Sequence, residues 1–466
     1  MDELAPLGKK DLPEPLPLKK LIGPSFILLG LGLGSGELIL WPYLSSNFGM
    51  GIIWAAVLGI TFQFFLNMEI ARYTLATGES IFVGLTRKFG KIAPYWFIFS
   101  TLLPWIWPGI IASSATLFAA SLGIKYKGYM GIVLLVLIGL ILSMGSIVYK
   151  TQEKFQKAII LIGIPFVFIL AFIFAKPTDW SALFRGLVGK GDGYFLLPAG
   201  IPLATLLGAF AYAGAGGNLN LSQSYYVKEK GYGMGKFAGK ITNVLKGKKG
   251  DATLEGFYFE ETTENLTKFK LWWKRINIEH LIIFWATGAV TMLILSLLAF
   301  STVFGLPGIE TGITFVISEA QTIGVLGFPI LGILFLITAG VMLFGTQFSV
   351  FGSTARIMSE NLVLSSPKKF KIESLSKYFY IFLWLQIAAG VLIFSIGFTE
   401  PLTLVVTGAV LNAITMFFYT GMVLWLNLTL LNKKIRPNLL RTLVVFSAFL
   451  FYGAFSTFTI YSRFIK

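Results

Sequence analysis

The feature that most limits what this chain can become is the recurrence of long, nearly uncharged apolar stretches. Eleven of them, at 24–46, 51–72, 94–122, 128–149, 158–176, 196–226, 279–304, 324–354, 378–398, 401–428 and 440–462, reach or approach the roughly 20 residues that a helix needs to cross a hydrocarbon core. Lipid is therefore the solvent for most of the surface. Only 13% of the 466 residues are charged, against about 25% in soluble proteins. Cysteine is absent and His280 is the single histidine. That excludes disulfides, thiol catalysis and Cys/His metal clusters.

The formal net charge of +16 would suggest nucleic acid in a soluble protein. Here its distribution gives another meaning. With the N-terminus inside, 31 of the 38 Lys and Arg fall in the tail, in 72–94, 149–157, 227–278, 355–377 and 428–441. This is a positive-inside pattern, and it removes nucleic acid as a partner. The expected protein is a multi-pass plasma (inner) membrane protein with a cytoplasmic N-terminus and an external C-terminus. The Pro-rich stretch Leu12–Pro17 reads as a solvated tail. The loop 227–278 reads as a structured connector, with Trp272 and Trp273 anchoring at the headgroups. His280 reads as an interfacial residue at the start of span seven, not as a proton relay.

Two spans carry glycine runs: Gly30-Leu-Gly-Leu-Gly-Ser-Gly-Glu37 in span one and Gly208-Ala-Phe-Ala-Tyr-Ala-Gly-Ala-Gly-Gly-Asn218 in span six. Glycine weakens a helix interior and permits unwound backbone. At membrane depth such backbone persists only where it is buried or lines a cavity. Gly-interrupted segments in corresponding halves point to a transporter binding site. The plainer alternative is close packing, because Gly30/Gly34 and Gly32/Gly36 are small-xxx-small pairs.

Gly23-Pro-Ser-Phe26, the first glycine run, Ala71-Arg-Tyr-Thr-Leu-Ala-Thr-Gly78 and Gly217-Asn-Leu-Asn-Leu221 follow one another in an order that resembles the Nramp family of divalent-metal transporters. The resemblance covers most of the spans. It implies an all-α membrane protein of about eleven helices with a LeuT-type fold, a 5+5 inverted repeat in which helices 1 and 6 are discontinuous. The implied organisation is a tail at 1–22, a first repeat at 23–176, an external loop at 177–195, a second repeat at 196–428 containing the 227–278 insertion, and an eleventh span within 429–466. The family's metal motifs are replaced. Asp-Pro-Gly-Asn becomes Gly34-Ser35-Gly36-Glu37, and Met-Pro-His becomes Ala215-Gly216-Gly217. The thioether that selects soft metals is thus missing. The breaks are instead similar to those of amino acid–polyamine–organocation carriers, where backbone amides hold a substrate carboxylate; Phe210-Ala-Tyr-Ala-Gly214 matches their sixth-span pattern.

Restarting helices present unpaired N–H groups and the positive end of a dipole, a ready anion site. The expected substrate site is Gly34, Ser35, Gly36, Glu37, Tyr212, Ala215, Gly216, Gly217 and Asn218. Glu37 is also the expected proton-coupling residue, since ionisable groups inside spans are usually functional. A helix N-terminus would favour its carboxylate, and burial its neutral form. The structural alternative makes Glu37 a backbone cap. Glu69 and Arg72 read as a local ion pair. Gln63, Asn67, Gln347, Gln386 and Asn412 read as helix glue, and Glu400 as the start of span ten. The function this implies is proton-coupled secondary transport of bicarbonate or a small carboxylate, bound by half-helices 1b and 6b. The alternative is a hard divalent cation, Mg2+ or Mn2+. The partners are lipid, the small ion and protons, with no cofactor. No enzyme is expected, because acid–base motifs are missing.

Overall fold

The computed structural model describes residues 4–18, 21, 24–144, 148–238, 254, 256–306 and 312–464. Gly23 and most of the Lys-rich part of the 227–278 insertion lie outside the described residues. Eight helical stretches are long and apolar enough to cross a membrane: Met50–Thr77, Ile92–Ser121, Gln156–Phe174, Thr263–Val303, Pro329–Ser365, Ile372–Ser395, Pro401–Leu430 and Leu439–Tyr461. The other apolar segments of the sequence are also helical. Span one runs through Pro24–Gly32, Leu33–Leu40 and Trp41–Phe48, span four is Gly128–Met144, and span six begins as Leu203–Ala211. The molecule is a multi-pass membrane protein.

Span one departs from expectation. Instead of breaking, it widens into π-helical turns over Leu33–Leu40, and Trp41 N–H donates to the Gly36 carbonyl five residues back. The glycines explain the choice. A Cβ on Gly32 would stand 2.7 Å from the Gly214 carbonyl, and one on Gly36 would stand 1.6 Å from the Tyr212 carbonyl. A Cβ on Gly34 would stand 2.5 Å from the Thr346 hydroxyl. Span one therefore uses glycine for close approach, the packing alternative, and its amides stay inside helical turns.

Span six breaks as expected. It ends at Tyr212 and restarts as a tight turn at Gly217–Ser222 that leads into Gln223–Glu229. Between them Gly216 and Gly217 take φ of +76° and +50°, a region that L side chains avoid. Span eight begins at Pro329, after a separate helix Thr314–Leu326, and extends to Ser365, well past the expected end. Span ten starts at Pro401, where the Glu400 carboxylate accepts from Leu402 and Thr403 N–H.

The N-terminal segment is not a solvated tail. Gly8–Lys9 forms a parallel ladder with Phe257–Tyr258. Leu12 is buried and its N–H donates to Asn265 Oδ1 at 3.1 Å. Trp272 Nε1 donates to the Pro13 carbonyl at 2.8 Å, and Arg275 donates to the carbonyls of Pro15 and Leu16. Arg87 reaches the Ala5 carbonyl at 2.7 Å. Proline carbonyls have no competing N–H on their own residue, so this segment is well suited to accept from side chains. The tryptophans are pins rather than headgroup anchors. Trp272 is buried against Tyr232, and the Arg72 guanidinium sits 3.8 Å above the Trp273 ring.

Candidate functional site

The break in span six is the centre of the site. Its amides make it unusual. The N–H groups of Gly214, Ala215, Gly216, Gly217 and Asn218 make no hydrogen bond with any described residue. The carbonyls before the break are better served. Gln63 Nε2 donates to Ala211 at 2.9 Å and Phe210 at 3.3 Å, which satisfies groups that a broken helix leaves open. Tyr212 stacks on Trp105 with centroids 5.6 Å apart, and its hydroxyl accepts from Asn412 Nδ2 at 3.0 Å. Asn218 donates to Ser100 Oγ and Thr101 Oγ1 at 2.9 and 2.8 Å. A Cβ on Gly217 would stand 1.7 Å from Asn412 Oδ1. Tyr212, Ala215, Gly216, Gly217 and Asn218 are thus brought together and buried.

The span-one half of the expected site does not converge with them. Gly36 touches the break only as backbone, and Gly34 faces span eight. Ser35 is buried with an unpartnered hydroxyl. Glu37, about 100° round the helix from Gly36, turns toward spans two and seven. Its Oε1 lies 3.5 Å from where a Gly288 Cβ would be, and Ile60 borders the same glycine. The Glu37 carboxyl is fully buried, and neither oxygen has a hydrogen-bond partner among the described residues. It is therefore not the cap of a half-helix. An unpaired charge is very costly in such surroundings, so the neutral acid is the form they tolerate.

Sequence reasoning did not give Ser100, Thr101 or Trp105 a place here. They lie on another span, and only the fold brings them to the break. Gln63 and Asn412 do act between helices, as expected of polar glue, and both do so at the break. Among the described residues no group of three or more His, Asp or Glu gathers as a metal-ligand set.

Other buried polar groups depart from the sequence reading or agree with it. Glu69 and Arg72 do pair, at 2.7 Å. His280 is not interfacial. It is fully buried, stacked between Phe284 and Phe64, with Nδ1 2.7 Å from Ser25 Oγ.

The fold has known counterparts. The structure is similar to that of the Eremococcus coleocola manganese transporter bound to an aromatic bis-isothiourea substituted compound, with a TM-score of 0.68, 14% identity, and coverage of 97% of this chain and 90% of that one. A histidine-to-alanine mutant of that transporter gives the same values. A glutamate-to-glutamine mutant gives a TM-score of 0.66, at 14% identity over 98% and 90% of the two chains. The two proteins share a fold. The LeuT-type helical architecture expected from the sequence is the architecture of this chain. No protein-family model and no curated protein sequence matches it.

Proposed function

We propose that the protein is a proton-coupled secondary transporter of a small anion, bicarbonate or a small carboxylate, bound at the span-six break. One observation carries this reading: five successive amide N–H groups, Gly214 to Asn218, lack partners among the described residues in a buried site. Buried N–H groups are almost always paired, and successive glycine amides make an anion-binding concavity. The expected second cradle, half-helix 1b, is withdrawn, because span one is continuous helix. Span six alone supplies the anion donors, while Gly32 and Gly36 allow its backbone to approach. Spans one to five and six to ten form the two repeats on this reading, and the face bearing the N-terminal segment is cytoplasmic.

Glu37 supplies the coupling. It lies beside the site, not in it, so it does not repel an anion as a ligand would. Protonated, it is compatible with its dry surroundings; losing the proton there creates an unpaired charge. Proton release therefore requires a conformation that admits water, which ties release to the opening of the carrier.

A hard divalent cation is the second reading. Likeness to a manganese transporter favours it, as do the unpartnered oxygens Asn218 Oδ1 and Asn412 Oδ1 at the break. The turn of Glu37 away from those oxygens counts against it. Proteoliposomes decide the matter. On the anion reading, labelled bicarbonate or carboxylate enters faster under an inward proton gradient, with acidification inside, and Mn2+ and Mg2+ stay out. Uptake of Mn2+ or Mg2+ without anion flux overturns it.

A further inference from the structure

The one histidine of the chain is buried between two phenylalanine rings, with Ser25 at Nδ1 and no partner for Nε2 among the described residues. Two facing stripes contain it. On span seven His280, Phe284 and Gly288 follow one another at intervals of four residues. On span two Ile60, Gln63, Phe64 and Asn67 share one helical face. Glu37 enters at the Gly288 and Ile60 end. Phe284 and Gln63 Oε1 meet at Gly214, their atoms 2.8 and 2.5 Å from its Cβ position. His280 closes the other end between the Phe284 and Phe64 rings.

Between these ends lie buried polar atoms without partners among the described residues, both Glu37 oxygens, Gln63 Oε1 and His280 Nε2, and the two Asn67 amide atoms, also unpartnered, follow one turn past Phe64. Eight residues of helix put Glu37 and His280 about 10–12 Å apart along span seven. That is too far for a direct transfer and short enough for a few waters, which buried polar groups of this kind recruit. Beyond the imidazole the path is already wired. Ser25 Oγ is 2.7 Å from His280 Nδ1 and 2.6 Å from Glu279 Oε2. The hydroxyl has one hydrogen. When it donates to the Glu279 carboxylate, Nδ1 must carry the hydrogen that Ser25 accepts.

We infer that His280 relays the coupling proton from Glu37, through Ser25, to Glu279 on the side of the N-terminal segment. A proton arriving by water bonds to Nε2. The Nδ1–H proton passes to Ser25 Oγ as the hydroxyl gives its own to Glu279 Oε2. One N–H bond and two O–H bonds break, those of Nδ1, Ser25 and the protonated water, and one N–H and two O–H form, at Nε2, Ser25 and Glu279, so charge and atoms balance. The groups facing the imidazole are Ser25 from span one, Phe64 and, one turn on, Asn67 from span two, and Glu279 and Phe284 from its own helix. Charges on the adjoining turns are Arg441, which is bonded to Asn277, and the Glu69–Arg72 pair.

This inference rests on proton coupling through Glu37, and the test separates the two. Proteoliposomes carrying the wild type or His280→Gln are assayed for substrate counterflow, which needs no net proton movement, and for proton-driven uptake with an internal pH dye. The expected result is counterflow within about twofold of wild type and proton-driven uptake at least tenfold lower. Wild-type proton flux in His280→Gln overturns the relay alone. Wild-type substrate uptake without protons overturns the coupling reading and the relay with it. Should His280→Gln fail to fold, 15N-histidine NMR of the wild type decides, because one histidine gives one imidazole. A resting Nδ1–H tautomer supports the relay; a bare Nδ1 with the hydrogen on Nε2 overturns it.

Discussion

Gly36 and Gly217 show how little room the site leaves. Alanine at Gly36 drives a methyl to 1.6 Å from the Tyr212 carbonyl, and alanine at Gly217 meets Asn412 Oδ1 at 1.7 Å on a φ of +50°. Gly36→Ala is expected to cost about 1–3 kcal/mol through overpacking, read as a lower melting temperature in detergent. Gly217→Ala is expected to abolish substrate counterflow, because the clash with Asn412 and the loss of the positive φ displace the backbone that carries the free amides. Glu37→Gln keeps the shape and removes the ionisable group. Counterflow is expected to persist and the response of uptake to external acidification to flatten. Sequence identified these residues because glycine runs and an acid inside a span are rare there. It did not show that Gly36 and Glu37 face different partners. That depends on the rotation of span one, which only packing against spans six, seven and eight fixes.

At the scale of the element, the same compositional signal produced two outcomes. Span six unwinds because Gly216 and Gly217 adopt positive φ in succession and Gln63 satisfies the carbonyls left behind. Span one has as many glycines and stays helical, since its amides keep partners in wider turns. Composition alone does not distinguish a break from a close approach; the distinction lies in which backbone comes to lie opposite. Replacing Gln63 with Leu leaves the Phe210 and Ala211 carbonyls without that donor. The expected loss is about 1–3 kcal/mol, again visible in thermal unfolding. Span boundaries were legible where charge ends an apolar run. Span eight was not, because its buried extension, through Arg356 and Glu360, is charged. Arg356 pairs with Glu229 at 2.7 Å and Glu360 accepts from Ser80, so tertiary pairing carries the helix where hydropathy predicts a loop.

Across the whole molecule, ion pairs knit the Lys/Arg-rich face. Glu69 receives both Arg72, at 2.7 and 3.0 Å, and Arg441, and Asn427 donates to it as well. This joins spans two, ten and eleven. Glu69→Gln strands two guanidiniums in a buried setting. The expected penalty is about 3–5 kcal/mol, checked by thermal unfolding against a Glu373→Gln control outside the network. The positive-inside pattern showed where these charges lie, not that many are buried and paired, because that requires distant segments to meet.

The strap formed by residues 4–18 has a further consequence, for the order of synthesis. It is made before its anchors at Asn265, Trp272 and Arg275, which follow more than 250 residues later. At 5–20 residues per second, the strap waits on the order of tens of seconds before it can dock. Its docking therefore reports that the nascent chain has passed the start of its seventh crossing, and the strap stays undocked while the six preceding spans are made.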